Sequence, residues 1–110
     1  MNKEDIQRLL RRYTYINDAM TKNLPAALFS ASGKQKQIAI DKTIVKFVFA
    51  VQRALLSLCD FDRFLIEQFL SGQKDVYIYT HNELSKNSYY RIKREFFAKV
   101  YELCIYARLV

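Results

Sequence analysis

Side chains that can bind nucleic acid are concentrated near the C-terminus of this sequence. Six of them stand within nine positions: Lys86, Asn87, Tyr90, Arg91, Lys93 and Arg94. Arg and Lys donate hydrogen bonds to guanine edges, Asn pairs with adenine, and Tyr bonds a phosphate or touches a thymine methyl group. The two acids of this segment, Glu95 and Glu102, come later in the chain. The segment therefore has the residue types needed to read the edges of DNA bases.

A single long helix that begins at Ser85 as its N-cap would position these residues. Its apolar residues recur every three or four positions and share one face: Tyr89, Ile92, Phe96, Val100, Leu103 and Ala107. With Ile92 at the centre of that face, three residues point away from the core and three flank them: Asn87, Tyr90 and Arg94, then Lys86, Arg91 and Lys93. A recognition helix presents such N-terminal turns to the major groove. An ordinary solvated basic face is the alternative interpretation.

Periodic apolar residues predict four further helices. They span Lys3–Met20, Gln35–Leu58, Phe61–Leu70 and a short stretch from Val76 that reaches His81 or Leu84. We expect Asn2 and Asp60 as N-caps and Gly72 as the left-handed residue that ends the third of these helices. Val76–Thr80 alternates like a strand, but no second strand candidate is convincing, so we interpret it as helix.

An all-α fold, a small domain of about five helices ending in a helix-turn-helix, is the architecture that these elements predict. With 110 residues, 51% of them hydrophobic, the chain can build one core. Only two Gly and one Pro are present, which disfavours a sheet. The single domain, 1–110, has three parts: an N-terminal helix and loop in 1–34, a helical core in 35–72 and the helix-turn-helix in 73–110. The loop is expected between Thr21 and Lys36.

The charge balance indicates an anionic partner. Lys and Arg number 18 against 11 Asp and Glu, a formal net charge of +7 with a pI near 9.5. Such a surplus on a small domain more often indicates nucleic acid than a membrane surface. A soluble protein that is merely basic is the alternative.

Other classes of site and location are not expected. Cys59 and Cys104 lie far apart and His81 is the only histidine, so we expect no metal site, no cofactor and two free thiols. The lone His81 and the divergent Asp60 and Asp62 do not form a catalytic pair, so we expect no enzyme. No apolar run is long enough to span a membrane and no signal peptide opens the chain, which predicts a cytoplasmic protein.

The segment Val76–Ala98, above all Leu84–Glu95, resembles the C-terminal helix-turn-helix of ArpU- and RinA-type phage late-gene regulators. That region in turn resembles the promoter-reading domain of primary sigma factors. The shared pattern is Ser85 opening the helix, Ser88 three residues later, then Tyr-Tyr-Arg, an aliphatic residue and Lys. Two features depart from it: Asn82 stands where an aliphatic residue is preferred, and no Gly marks the turn.

The resemblance covers roughly the last 40 residues. It implies a sequence-specific activator of phage or mobile-element genes that acts on a late or packaging promoter. The groove-facing residues would be Lys86, Asn87, Tyr90, Arg91 and Arg94. Lys74 and Lys93 would contact phosphates. The N-terminal helices would then carry dimerisation or a contact with RNA polymerase.

Two questions stay open from the sequence. A helical protein-binding adaptor or inhibitor without DNA-binding activity is the alternative function, supported by the basic first helix and the apolar long helix. A homodimer would give a helix-turn-helix a longer site, and the apolar surplus at Phe47, Phe49 and Val51 could supply its interface. Burial of those side chains within a single-chain core is equally consistent with their pattern.

Overall fold

Six helices and no strand make up the part of the chain that the structure describes. The computed structural model describes residues 2–21 and 42–109. The helices are α1 (Lys3–Arg11), α2 (Tyr13–Thr21), α3 (Lys42–Leu56), α4 (Asp60–Leu70), α5 (Asp75–His81) and α6 (Lys86–Tyr106). The predicted all-α class is confirmed. The expected loop after Thr21, and the first residues of the predicted Gln35–Leu58 helix, lie outside the described residues.

The N-terminal segment forms two helices where one was predicted over Lys3–Met20. The predicted Asn2 cap is present: its side chain accepts from the Asp5 backbone N–H at 2.8 Å, and Asp5 accepts from the Asn2 N–H at 3.1 Å. The helix breaks at Arg12, which takes a non-helical φ of −107°. Beyond Leu10 the buried residues recur in steps of three. Three residues fall about 60° short of a full helical turn, so on a straight helix each step would rotate the buried side by that angle, away from the core. The break allows both halves to bury their apolar faces in the same core.

The core lies mainly between α3 and α6, the most extensively packed pair of helices. The largest fully buried side chains of the described residues come from all six helices: Leu10, Ile16, Phe47, Val48, Val51, Leu65, Ile66, Ile78, Tyr89, Phe96, Val100 and Cys104. Phe47 and Val51 therefore belong to the single-chain core. Of the three residues considered for a dimer interface, only Phe49 remains on the surface, at 55% exposure.

The junction of α3 and α4 differs from the expected capping. Helix α4 begins at Asp60 itself, with Cys59 in the N-cap position, so the prediction of Asp60 as the cap is wrong. The Asp60 carboxylate points into solvent, 3.9 Å from Arg63. Arg63 donates to the carbonyls of Leu55 at 3.0 Å and Leu58 at 3.1 Å. It thereby satisfies carbonyls at the end of α3, and these hydrogen bonds join the two helices.

Gly72 ends α4 as predicted. It has a φ of +97°, in the left-handed region that favours glycine. Its N–H donates to Phe69 at 3.0 Å, and the Gln73 N–H donates to Gln68 at 3.1 Å. These two bonds form the Schellman arrangement, which satisfies the last carbonyls of α4 and directs the chain into α5.

None of the helices in the described ranges is long and apolar enough to cross a bilayer.

Candidate nucleic-acid interface

The turn between α5 and α6 forms without a glycine. Glu83 takes the left-handed conformation at φ +56°. The Leu84 N–H then donates to the carbonyl of Tyr79 at 2.9 Å and the Glu83 N–H to that of Thr80 at 3.3 Å, which again is the Schellman arrangement. Leu84 packs partly buried against the core. The backbone hydrogen bonds and this apolar contact hold the turn, at the steric cost that a side chain adds to a left-handed residue.

Asn82, the other departure from the family pattern, has a defined contact in this turn. Its amide donates to the carbonyl of Ile78 at 2.7 Å. The Asn82 backbone N–H donates to the same carbonyl at 3.2 Å, so the side chain adds a second hydrogen bond at the C-terminal end of α5, which an aliphatic residue could not form. Both departures are thus compatible with a tight connection between α5 and α6.

The start of α6 is capped as predicted. Ser85 accepts from the Ser88 backbone N–H at 3.1 Å, and its hydroxyl lies 2.9 Å from that of Ser88. The helix then runs without interruption to Tyr106. The N-terminal end of α6 therefore has a defined start, and its first two residues, Lys86 and Asn87, are exposed.

A carboxylate on α5 fixes the orientation of α6. Asp75 accepts a hydrogen bond from the Tyr89 hydroxyl at 2.7 Å, from Lys93 Nζ at 3.1 and 3.2 Å, and from the Tyr90 hydroxyl at 3.4 Å. The Tyr89 ring is fully buried beneath this cluster. The first turn of α5 is thereby joined to the second and third turns of α6.

The protonation states in this cluster favour the bonded arrangement. Burial by itself raises the pKa of Asp75, but the hydrogen bonds from Tyr89 and Lys93, with the charge of Lys93, outweigh it and the net pKa is lowered. Burial and the hydrogen bond to Asp75 raise the pKa of the Tyr89 hydroxyl. At neutral pH the carboxylate is therefore ionised and the phenol is a neutral donor.

Lys93 lies in a different place from the one its helical position suggested. Its side chain is only 14% exposed, and its ammonium group lies 4.2 Å from the ring centroid of Phe69 on α4. The ion pair with Asp75 compensates its charge. The predicted flanking position on the solvent face is therefore wrong, because α4 and α5 cover that side of α6.

Tyr90 is half-buried, with its hydroxyl directed toward Asp75. The expected direction away from the core does not hold for this side chain. A helical wheel centred on Ile92 gives one buried face, whereas α6 contacts α3 on one side and α4 and α5 on another. The buried arc is therefore wider than the sequence pattern alone indicated.

The remaining predicted residues are exposed. Lys86, Asn87, Arg91 and Arg94 lie on the outer face of α6, and Lys74 lies at the N-cap of α5. Within the described ranges no carboxylate pairs with the cations Lys86, Arg91 or Arg94. We call these four α6 residues, together with Lys74, the basic surface. Its positively charged groups are accessible to an anionic partner.

Sequence reasoning missed Asp75. Its surroundings carry little signal, because Glu83 is a second acid in the same segment and the Tyr-Tyr-x-x-Lys pattern that Asp75 meets comes later in the chain. The residues that meet it are separated by 14, 15 and 18 positions, so only the packing of α5 on α6 identifies them as partners.

Other chemistry is sparse in the structure. No group of His, Cys, Asp and Glu in the described ranges could hold a metal ion. Both cysteines are free, Cys59 exposed and Cys104 buried. His81 is exposed and stacks on Tyr77, with ring centroids 3.7 Å apart, while its Nδ1 lies 3.1 Å from the Tyr77 carbonyl.

Comparison with known proteins identifies no family. No protein-family model, curated protein or solved structure matches the chain significantly. The resemblance of Leu84–Glu95 to phage late-gene regulators stays a prediction. Function must therefore be inferred from the charge, exposure and support of α6.

Proposed function

We propose that this protein binds double-stranded DNA by placing the first turns of α6 in the major groove. The basic surface is the observation that carries the proposal. It consists of one amide and of cations that have no carboxylate partner in the described ranges. Most of it lies at the start of a capped helix, α6, whose orientation Asp75 fixes. A rigid helix that presents such cations suits a polyanion, because no existing ion pair must be broken on binding.

Each residue of the basic surface has a chemical role in this proposal. Asn87 would pair with adenine, and Arg91 and Arg94 would donate to guanine edges or adjacent phosphates. Lys86 and Lys74 would contact the phosphate backbone, aided by the partial positive charge at the start of α6. Lys93 would act through Asp75 as a positioning residue, and Tyr90 would lie at the edge of the contact.

The resemblance to phage regulators supports a more specific form of the proposal. The protein would be a cytoplasmic activator of phage or mobile-element genes, with RNA polymerase as a second partner. One recognition helix reads few base pairs, so a homodimer on a two-part site would provide the specificity.

The test is binding to random duplex DNA across a salt series. Arg91→Ala combined with Arg94→Ala should weaken binding strongly and make the slope of log affinity against log salt shallower, by about 0.9 for each phosphate that the protein no longer neutralises. The matched control is Lys46→Ala combined with Arg53→Ala, which removes two exposed cations from α3 and the same net charge. Equal losses of affinity in both double variants, or none in either, would contradict the proposal.

A helical protein-binding adaptor is the second candidate, and a specific surface favours it. Helix α3 exposes apolar residues beside two cations, and the end of α6 adds another aromatic ring: Phe49 at 55%, Leu56 at 71% and Tyr106 at 77% exposure, with Lys46 and Arg53. Such a face suits an amphipathic helix of a partner. Binding to such a partner should respond weakly to salt, whereas DNA binding should weaken steeply.

A further inference from the structure

A cleft of about 280 Å³ lies between α1 and the middle of α6. Apolar side chains from both helices line it: Ile6, Leu10, Phe97, Ala98 and Tyr101. Two exposed cations stand at its edges, Lys3 on α1 and Arg94 on α6. The two helices touch only sparsely here, which leaves the cleft open to solvent.

The charges of this cleft are of one sign. No acidic residue of the described ranges lines it. Lys3 Nζ lies 5.2 Å from the ring centroid of Tyr101, and among the residues that the structure describes no carboxylate pairs with Lys3 or Arg94. An apolar interior with two such cations complements a molecule that has an apolar body and an anionic head.

We propose that the α1–α6 cleft binds a small amphipathic carboxylate, with the carboxylate held by Arg94 and the apolar body lying along Phe97, Ala98 and Tyr101 toward Lys3. A volume of about 280 Å³ is at the lower end for ligand pockets and suits a short acid better than a peptide segment. Arg and Lys form charge-assisted hydrogen bonds with a carboxylate, and Arg can do so with two parallel bonds.

This site would regulate DNA binding, a consequence that rests on the proposed function. Arg94 belongs both to the cleft and to the basic surface. A bound carboxylate would engage its guanidinium and lower the affinity for DNA, and DNA would lower the affinity for the acid by the same factor.

The test uses octanoate as the probe and octanamide, its neutral counterpart, as the control ligand. Titration of the ¹⁵N-labelled full chain, followed by NMR, should show saturable shifts at Gln7 and Ala98. We expect octanoate to bind about tenfold more tightly than octanamide. Lys3→Gln combined with Arg94→Gln should reduce octanoate binding to the octanamide level, and Ala98→Leu should weaken both by filling the cleft.

Three results would overturn the ligand site. These are equal affinity for the two probes, unchanged octanoate affinity in the Lys3→Gln, Arg94→Gln variant, or shifts spread over exposed apolar residues such as Phe49 and Leu56. If octanoate binds but leaves DNA affinity unchanged, the regulatory coupling is wrong. If the protein binds no DNA at low salt, the proposed function fails, while the octanoate titration still decides the cleft.

Discussion

At the scale of single residues, Asp75 connects two helices through three side chains of α6. The carboxylate accepts from Tyr89, Tyr90 and Lys93. Lys93 depends on this interaction in turn, since its ammonium group is mostly buried against the Phe69 ring. Removing one partner of a partly buried ion pair leaves the other charge poorly solvated, which costs more than the pair itself contributes.

Asp75→Asn should therefore destabilise the protein by about 1–3 kcal/mol, because the amide keeps the shape but lacks the charge that Lys93 requires. The measurement is the free energy of unfolding in urea. The matched control is Asp60→Asn, whose carboxylate points into solvent, and we expect a change below about 0.5 kcal/mol. Similar destabilisation of the two variants would show that Asp75 has no special role.

The basic residues of α6 show which features of the surface residue types alone can predict. Their identity and spacing indicated a nucleic-acid surface, and Lys86, Asn87, Arg91 and Arg94 are exposed as expected. Lys93 differs because its partners come from α4 and α5. Helical position assigns a residue to a side of its own helix, but the neighbouring helices decide whether that side meets solvent.

At the scale of elements, local signals located the C-terminal helices well. The Ser85 cap, the Gly72 stop and the short helix before the turn were all predictable, because each depends on residues close in sequence. The break at Arg12 was not predicted. It follows from the need of α1 and α2 to bury their apolar sides in one core, a requirement that only the packed structure imposes.

The left-handed residue of the α5–α6 turn gives a prediction at this scale. Glu83→Gly should stabilise the protein by up to about 1 kcal/mol, because glycine removes the steric cost at φ +56° while its greater freedom in the unfolded chain offsets part of the gain. Thermal unfolding monitored by circular dichroism measures the effect.

The opposite substitution at the end of α4 serves as the control. Gly72→Ala should destabilise the protein, and since no atom lies within 4 Å of an added Cβ, the destabilisation would come from backbone strain alone. A lower unfolding temperature for Glu83→Gly would contradict the left-handed turn.

At the scale of the whole molecule, the charged and apolar surfaces are separated along α6. The basic surface occupies its first turns, whereas the exposed apolar residues Ile105 and Tyr106 stand at its far end beside α3. From Arg91 to Ile105 the helix rises by about 21 Å. One end of α6 is thus suited to DNA and the other end to a protein contact. The separation allows DNA and a protein partner to bind at the same time.

The stability of the whole fold should fall in acid. The folded state lowers the pKa of Asp75 below its ordinary value of 3.8, so the stabilisation is fully present above that pH and is lost as the pH falls through the lowered pKa. Urea unfolding at a series of pH values should show this decline below about pH 4, with a smaller decline in Asp75→Asn. An identical pH profile in the two proteins would contradict the depressed pKa.

The sequence alone determined the all-α class, the helix starts and stops near the C-terminus, and the concentration of basic residues in the first turns of α6. These features depend on local propensity, capping and periodicity, which act over a few residues. Only the tertiary structure decided that Asp75 positions α6, that Lys93 is paired inside and that α1 forms a cleft beside Arg94. Those outcomes depend on packing between helices distant in the chain, for which local sequence patterns carry no information.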